Sequence, residues 1–305
     1  MRRRFSAGGV LHIYQRTISG FNLFYTLEDF LVFYTIVSVK AKINKVCVMG
    51  LCFMIDHLHQ LVSAESLSQI NSFISETTSL YVREFNKETG RKGPLFESTF
   101  GSALKTEFKK IRSAIAYLFN NPVEKMLCTT AEQYRWNFLA FYNPCRQHIS
   151  FRNRSRALKR AKGIVDTRCK ENKHLKYATL KLIYKGLDAE EKEILTNYII
   201  ERYLPFDIER TCRYYRSYED MVIAINSNTG SEHELTEQHY CKSDLPYRDI
   251  LSCLKSHGIK RIHEVLTAKK DAKRRLYGLL RSKTSASGTQ IRKFLHCNRA
   301  PVRSK

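Results

Sequence analysis

Short apolar runs alternate with amphipathic segments along the first part of the chain, a pattern typical of an α+β protein. Residues 10–17 follow two glycines and are rich in β-branched and aromatic side chains, which predicts a first strand. Thr26 and Asp29 have the spacing of a helix-capping box, so we expect a helix over residues 27–42.

Residues 45–62 form a nearly continuous apolar run, which predicts one buried strand that carries polar side chains to a site at its end. Residues 63–85 have helical spacing, and residues 86–94 form a basic, turn-rich loop. A helix over residues 105–120 should stop at Asn121-Pro122, because proline disfavours helical geometry in the residue before it. This order predicts an α+β domain with an antiparallel sheet of the ferredoxin-like type.

Length and composition indicate an ordinary globular protein. The chain has 305 residues, of which 43% are apolar and 27% charged, so two domains are expected. The longest apolar window, residues 30–39, is much shorter than the roughly 20 residues of a membrane span, and no signal-peptide pattern follows the basic start. Nine scattered cysteines favour reduced thiols, mostly in the core. We therefore expect a cytoplasmic protein without a membrane contact.

The net charge of +23 favours a polyanionic partner, because basic side chains that neutralise phosphates release counterions. Residues 1–150 carry +7 and residues 151–305 carry +16, so the excess lies mainly in the second half. A solubilising surface and an acidic membrane are the alternatives. We expect a nucleic acid partner rather than either of these alternatives.

The segment Asp56-His57-Leu58-His59 is the first candidate for chemistry. Residues two apart on a strand face the same side, so both imidazoles could bind one divalent ion. A single H-x-H pattern is more often a pair of ordinary packed histidines. Further residues must decide between these interpretations.

Tyr117 and Asn121 are the second candidate. On a helix they are four positions apart and share a face, beside an apolar stripe that would anchor the helix. Tyr117 would present a hydroxyl and Asn121 an amide. The alternative is a partly buried aromatic residue and a capping residue before a proline.

Several segments are similar, in order, to the motifs of one enzyme family. They are GGVLHIYQRT, MIDHLH, GPLFESTF and AYLFNNPVEKML, followed by a closing segment at residues 134–138. Over about residues 1–142 the chain resembles the REP-associated tyrosine transposases, which are single-tyrosine HUH insertion-sequence transposases. Ile55 stands where the family usually has proline, and Asn137-Phe138 replace paired serines after the tryptophan.

The resemblance implies a ferredoxin-like HUH catalytic domain in which His57 and His59 bind Mg²⁺ or Mn²⁺ and Tyr117 is the nucleophile. Asn121 is then the third metal ligand or a polar group beside the metal. Such an enzyme cleaves single-stranded or hairpin DNA, forms a 5′-phosphotyrosine, and rejoins strands by the reverse reaction. No nucleotide cofactor is needed, because the phosphotyrosine bond conserves the energy of the broken phosphodiester. A homodimer is a further partner to test.

The second half should be a basic, mainly helical region. We place the domains at residues 1–147 and 148–305, with helices near residues 188–204 and 244–256. Residues 268–297 have the order of a helix-turn-helix. Its predicted DNA-binding residues are Arg274, Arg275, Thr289, Gln290, Arg292 and Lys293. A basic helical hairpin without a DNA function is the alternative.

Three functions follow from these observations. A transposase that cleaves and rejoins DNA accounts for the histidines, Tyr117 and the charge together. A non-catalytic, domesticated DNA-binding regulator would leave the histidine and tyrosine pattern unexplained. A phosphodiesterase that activates water would need the histidines but not Tyr117. The sequence favours the transposase.

Overall fold

A computed structural model describes residues 4–146, 149–227 and 243–298. The first half contains a four-stranded antiparallel sheet, as the sequence predicts, with the strand order β2-β3-β1-β4. Along the chain its elements are β1 (Val10–Arg16), α1 (Leu27–Ile43), β2 (Cys47–Phe53), β3 (His57–Ser63), α2 (Leu67–Thr89), β4 (Gly101–Lys105) and α3 (Phe108–Glu124). The two central strands are therefore β1 and β3.

The sheet has two strands more than the sequence predicts. Residues 45–62 are a hairpin rather than one strand, and the turn closes where the backbone nitrogen of Met54 donates to the carbonyl of His57 at 3.0 Å. Almost every residue on both sides of this turn is buried, so apolar periodicity carries no signal for it. Strand β4 lies between the predicted loop and the predicted helix from residue 105, where no strand was predicted, and its pairing with β1 is what makes it a strand.

The helices of the first half begin largely as predicted. The Thr26 side chain accepts from the nitrogen of Asp29, and the Asp29 carboxylate accepts from the nitrogen of Thr26, which completes the capping box of α1. Helix α2 extends to Thr89 and ends at Gly90, whose φ of 73° suits a residue without a side chain.

Helix α3 does not stop at Asn121-Pro122 as predicted. It continues through Pro122 to Glu124, and Pro122 is buried together with the two asparagines before it. Proline removes one hydrogen bond to the preceding turn, but the lost bond lies within the last turn of the helix. Burial of the helix against the sheet therefore outweighs the local preference of proline.

The second half is helical throughout its described residues. Its helices are α4 (Arg156–Lys170), α5 (Tyr177–Tyr184), α6 (Ala189–Arg202), α7 (Ile208–Cys212), α8 (Tyr218–Asn226), α9 (Pro246–Ser256), α10 (Glu264–Thr267), α11 (Lys270–Lys283) and α12 (Gly288–Phe294). The predicted helices near residues 188–204 and 244–256 correspond to α6 and α9. No helix in the described ranges is both long and apolar enough to cross a membrane.

Both halves contribute to one continuous hydrophobic core. Phe206 forms a bridge beside Val48 at the edge of β2, and the hydroxyl of Thr211 donates to the carbonyl of Met49 at 2.9 Å. The Tyr34 hydroxyl on α1 reaches the carbonyl of Ile200 at 2.8 Å. The predicted boundary between residues 147 and 148 lies outside the described residues, and the segments beyond it pack directly onto the sheet.

The cysteines differ in part from the prediction. All those in the described residues are free thiols, as expected, but only Cys52 is buried. Cys145 is exposed, and the other six are half-buried. The expectation that most cysteines lie in the core is therefore only partly met, because the six half-buried thiols pack against the core without being enclosed in it.

Candidate functional site

His57 and His59 lie side by side on β3 and face the same side of the sheet, as the two-residue spacing predicts. Their ring centroids are 5.0 Å apart and their planes are inclined by 86°. Both side chains are buried. Because they project from a central strand, their positions are fixed by hydrogen-bonded neighbours on both sides.

Strand β1 adds two rings that the sequence analysis did not single out. The Nε2 atom of His12 lies 3.1 Å from Nδ1 of His59, and the Tyr14 ring is 5.0 Å from that of His59. Tyr14 is also 5.2 Å from His57. The alternation His12-Ile13-Tyr14 matches that of β3 and is the signal that would have revealed them.

Tyr117 packs against this group of rings from α3. Its ring centroid lies 5.6 Å from that of His59 and 5.8 Å from that of His12. Gly50 lets the helix approach the sheet, since a Cβ there would lie 3.3 Å from Leu118. The sequence therefore correctly paired Tyr117 with the histidines, but only 3% of Tyr117 is exposed.

Asn121 lies one helical turn after Tyr117, as predicted. Its Nδ2 atom donates to the Tyr117 carbonyl at 3.1 Å, while its Oδ1 atom is buried without a hydrogen-bond partner. The Nε2 atom of His57 is also buried without a hydrogen-bond partner. The described residues contain no group of three or more histidine, cysteine, aspartate or glutamate side chains arranged to hold a metal. A divalent ion here would depend on the Asn121 amide.

Asp56 connects the histidine site to the far end of the chain. Its Oδ1 atom accepts from Nδ1 of His57 at 2.7 Å, and its Oδ2 atom pairs with Nζ of Lys293 at 2.7 Å. Burial would raise the pKa of the Asp56 carboxyl, but the hydrogen bonds and charges of His57 and Lys293 outweigh burial and hold that pKa well below its usual range. Gly20 leaves room for the lysine, because a Cβ there would lie 2.7 Å from its Cε.

Asp244 is a second buried carboxylate at the site, and no sequence pattern singles it out. Its Oδ2 atom has no hydrogen-bond partner. Burial and, second to it, the nearby charge of Asp56 raise the pKa of Asp244, while His57, Lys125 and Lys293 lower it, and the net result is a pKa of about 6. The backbone nitrogen of Asp244 donates to the carbonyl of Lys125, which fixes the residue beside the end of α3.

A cleft of about 340 Å³ opens beside His57. The first half contributes Tyr14, Arg16 and the turn at residues 17–20, and the end of α3 contributes Lys125. The second half contributes Asp244 and one side of α12. The candidate site is therefore built by segments from both halves of the chain.

Helices α11 and α12 exist as predicted, but two of the predicted DNA-binding residues are buried. Gln290 is buried, caps α12 and donates to the carbonyl of Ser243 at 2.8 Å. Lys293 is buried in its pair with Asp56. Gln290 is therefore held by Ser243 of the second half and Lys293 by Asp56 of the first half, and DNA binding by these two residues stays a prediction.

The other four predicted residues lie elsewhere. Thr289 and Arg292 line the cleft beside His57. Arg275 is exposed on α11, and Arg274 is half-buried and donates to Asp271 at 3.1 Å. DNA binding by these four residues stays a prediction.

Comparisons with known proteins add one distant likeness. No protein-family model matches the sequence, and no curated protein is similar to it. The chain is similar to a solved structure described as the "Structure of the REP associates tyrosine transposase bound to a REP hairpin". That likeness has 13% identity and a TM-score of 0.36, and it covers 45% of this chain and 79% of the other. A likeness at this level does not establish a function for this chain.

Proposed function

We propose that this protein is a DNA strand transferase that cleaves and rejoins single-stranded DNA through a covalent bond to Tyr117. The observation that carries the proposal is the packing of the Tyr117 ring against His59, 5.6 Å between centroids, on a sheet face that also holds His57. A hydroxyl nucleophile beside two potential metal ligands is what phosphoryl transfer to a side chain requires.

The residues present fit a divalent ion. The buried Nε2 of His57 and Oδ1 of Asn121 lack hydrogen-bond partners, and an ion would satisfy both. Asp56 holds Nδ1 of His57, and His12 contacts Nδ1 of His59, so each ring would bind the ion through Nε2. The amide oxygen of Asn121 is a donor that suits Mg²⁺ and Mn²⁺, and the two imidazoles would complete the set of protein ligands. The ion would polarise the phosphate that Tyr117 attacks.

The proposed reaction exchanges one phosphodiester bond for another. The Tyr117 oxygen forms a bond to phosphorus, the bond from phosphorus to the 3′ oxygen breaks, and that oxygen leaves as a free 3′-hydroxyl after taking a proton. Rejoining reverses these steps with another 3′-hydroxyl. A phenol with a pKa near 10 is a weak nucleophile, so it depends on the charge around the phosphate. ATP is not consumed.

The fold and the charge support this proposal. The β-α-β-β-α-β order and the strand order β2-β3-β1-β4 are those of a ferredoxin-like domain, which we propose for the first half. The net charge of +23 favours a nucleic acid. A paired backbone would have to open before it entered a site this deep, so we propose a single strand or a hairpin end as the substrate.

The test is a denaturing gel with labelled single-stranded DNA from the flanks of the gene and Mn²⁺. The wild-type protein should give a protein–DNA adduct that protease removes and that maps to the peptide containing Tyr117. Tyr117→Phe should give none. Tyr81→Phe, which removes another buried hydroxyl, bonded to Leu23, should retain the adduct. Cleavage without any adduct would instead indicate a hydrolase that uses water.

A non-catalytic DNA-binding regulator is the second candidate, and the burial of Tyr117 favours it. With 3% of its surface exposed, Tyr117 reaches a phosphate only after the site opens. A regulator would bind the same DNA but give neither adduct nor cleavage in any metal. The gel described above separates the two functions directly.

A further inference from the structure

Arg292 and Lys293 are consecutive cations on α12 that both line the cleft beside His57. They differ in whether a carboxylate neutralises their charge. Lys293 is 7% exposed and pairs with the Asp56 carboxylate at 2.7 Å. Arg292 donates to the Thr289 hydroxyl at 3.0 Å, and no carboxylate within the described residues pairs with it. Of these two neighbours on α12, Lys293 is thus neutralised and Arg292 is available to an anion.

We propose that Arg292, together with the Thr289 hydroxyl, binds one backbone phosphate of the strand that enters the cleft beside His57. This inference rests on the proposed function and adds a binding residue from the opposite end of the chain. A guanidinium suits the task because its planar array of donors matches the oxygens of a phosphate, and its charge persists at any physiological pH.

The packing of α12 places Arg292 on a rigid support. The Tyr25 hydroxyl donates to the carbonyl of Phe294 at 2.8 Å, and the His296 ring donates to the carbonyl of Asn22 at 3.0 Å. The His296 ring also stacks on Phe21, with centroids 4.5 Å apart. A phosphate ligand held this way requires little ordering when DNA binds, which favours affinity.

The remaining charges of the cleft limit the contact to a single phosphate. Arg16 and Lys125 add positive charge, but Glu97 and Asp244 lie among them. Since cations and carboxylates are interspersed, the cleft does not form a continuous basic track for a backbone. The geometry therefore points to a fixed contact at one phosphate near His57, rather than to general attraction along the strand.

The experiment measures binding of a fluorescent hexanucleotide by full-length protein in the Tyr117→Phe background, so that no cleavage intervenes. Arg292→Met should weaken binding about tenfold at moderate salt, the loss expected for one charged hydrogen-bonded contact. The slope of log Kd against log salt should fall by about 0.7, the value for one phosphate of a single strand. Arg292→Lys should restore part of the affinity and the slope.

The matched control is Arg160→Met, which removes the same charge from an exposed position on α4 away from the cleft. It should change neither quantity beyond a small, uniform effect. Equal losses in both variants would overturn the proposal, as would an unchanged slope in Arg292→Met.

This result is separable from that of the adduct test. If the wild-type protein forms no adduct but Arg292→Met alone lowers the slope, the proposed chemistry fails and the phosphate contact stands. If the adduct forms and the salt slope of Arg292→Met is unchanged, the proposed chemistry stands and the phosphate contact fails.

Discussion

The histidine face of the sheet and helix α12 both bring buried polar groups to the same cleft, but they are held in place in different ways. On the sheet, the register that places Tyr14 opposite His59 is set by backbone hydrogen bonds between adjacent strands. Helix α12 is placed by side chains that reach back to the segment before α1. Backbone pairing between strands fixes the first region, and side-chain packing fixes the second. Substitutions in the two regions should therefore affect activity and stability to different extents.

Removing both histidines should have the largest effect on activity. His57→Ala combined with His59→Ala removes the proposed imidazole ligands, so adduct formation should fall by at least about a hundredfold. DNA affinity should stay within a few fold, because phosphate contacts supply most of it. The control is His257→Ala at an exposed position after α9. Undiminished adduct formation by the double variant would show that His57 and His59 are not the metal ligands.

Truncating the aromatic anchor of α12 should have the largest effect on stability. Phe294 is 1% exposed and meets the Tyr25 ring edge-on at 5.0 Å. Phe294→Ala should lower the free energy of unfolding by about 3–5 kcal/mol in urea titrations. Phe33→Ala, at an equally buried position on α1, is the counterpart in the first half.

Both variants should shift the same single transition, because the two halves share a core. Two transitions, each moved by only one of the variants, would show that the halves are independent domains.

Acid should weaken the attachment of α12 by a smaller amount. Burial lowers the pKa of His296 to about 3, the charges of Arg91 and Lys273 act in the same direction, and the hydrogen bond to Asn22 opposes them. The unfolded chain therefore binds a proton below about pH 6.5 that the folded chain does not, and stability falls as the pH drops through that range. At pH 5 the loss should be about 2 kcal/mol.

The measurement compares urea unfolding at pH 7.5 and pH 5.0 for the wild-type protein and His296→Phe, which keeps a ring to stack on Phe21. The wild-type protein should lose about 2 kcal/mol more than the variant between these pH values. Equal losses would mean that His296 does not govern the acid response.

The sequence predicted features that depend on neighbours in the chain. The capping box at Thr26 and Asp29 formed because its partners are three residues apart, and the histidines share a face because strand geometry requires it. The placement of Tyr117 beside His59 came from a resemblance in motif order.

Features that depend on distant partners were missed. Gln290 and Lys293 have the composition of a DNA-contacting helix, and nothing in that composition indicates their contacts with Ser243 and Asp56. Strand β4 became a strand because β1 offered an open edge. Charge and helical periodicity indicate the secondary structure and the possible ligands of a segment, but not which part of the protein it packs against.

Helix α12 lies near the end of the sequence, so it is synthesised after the residues that it covers in the folded protein. Both histidines and Tyr117 leave the ribosome long before residues 288–294 are made. At ordinary rates of translation this interval lasts on the order of ten seconds or more. During it the nascent sheet exposes His57 without the wall that Lys293 and Arg292 later supply. A cell that makes this protein thus contains young chains in which the cleft beside His57 is still open on one side.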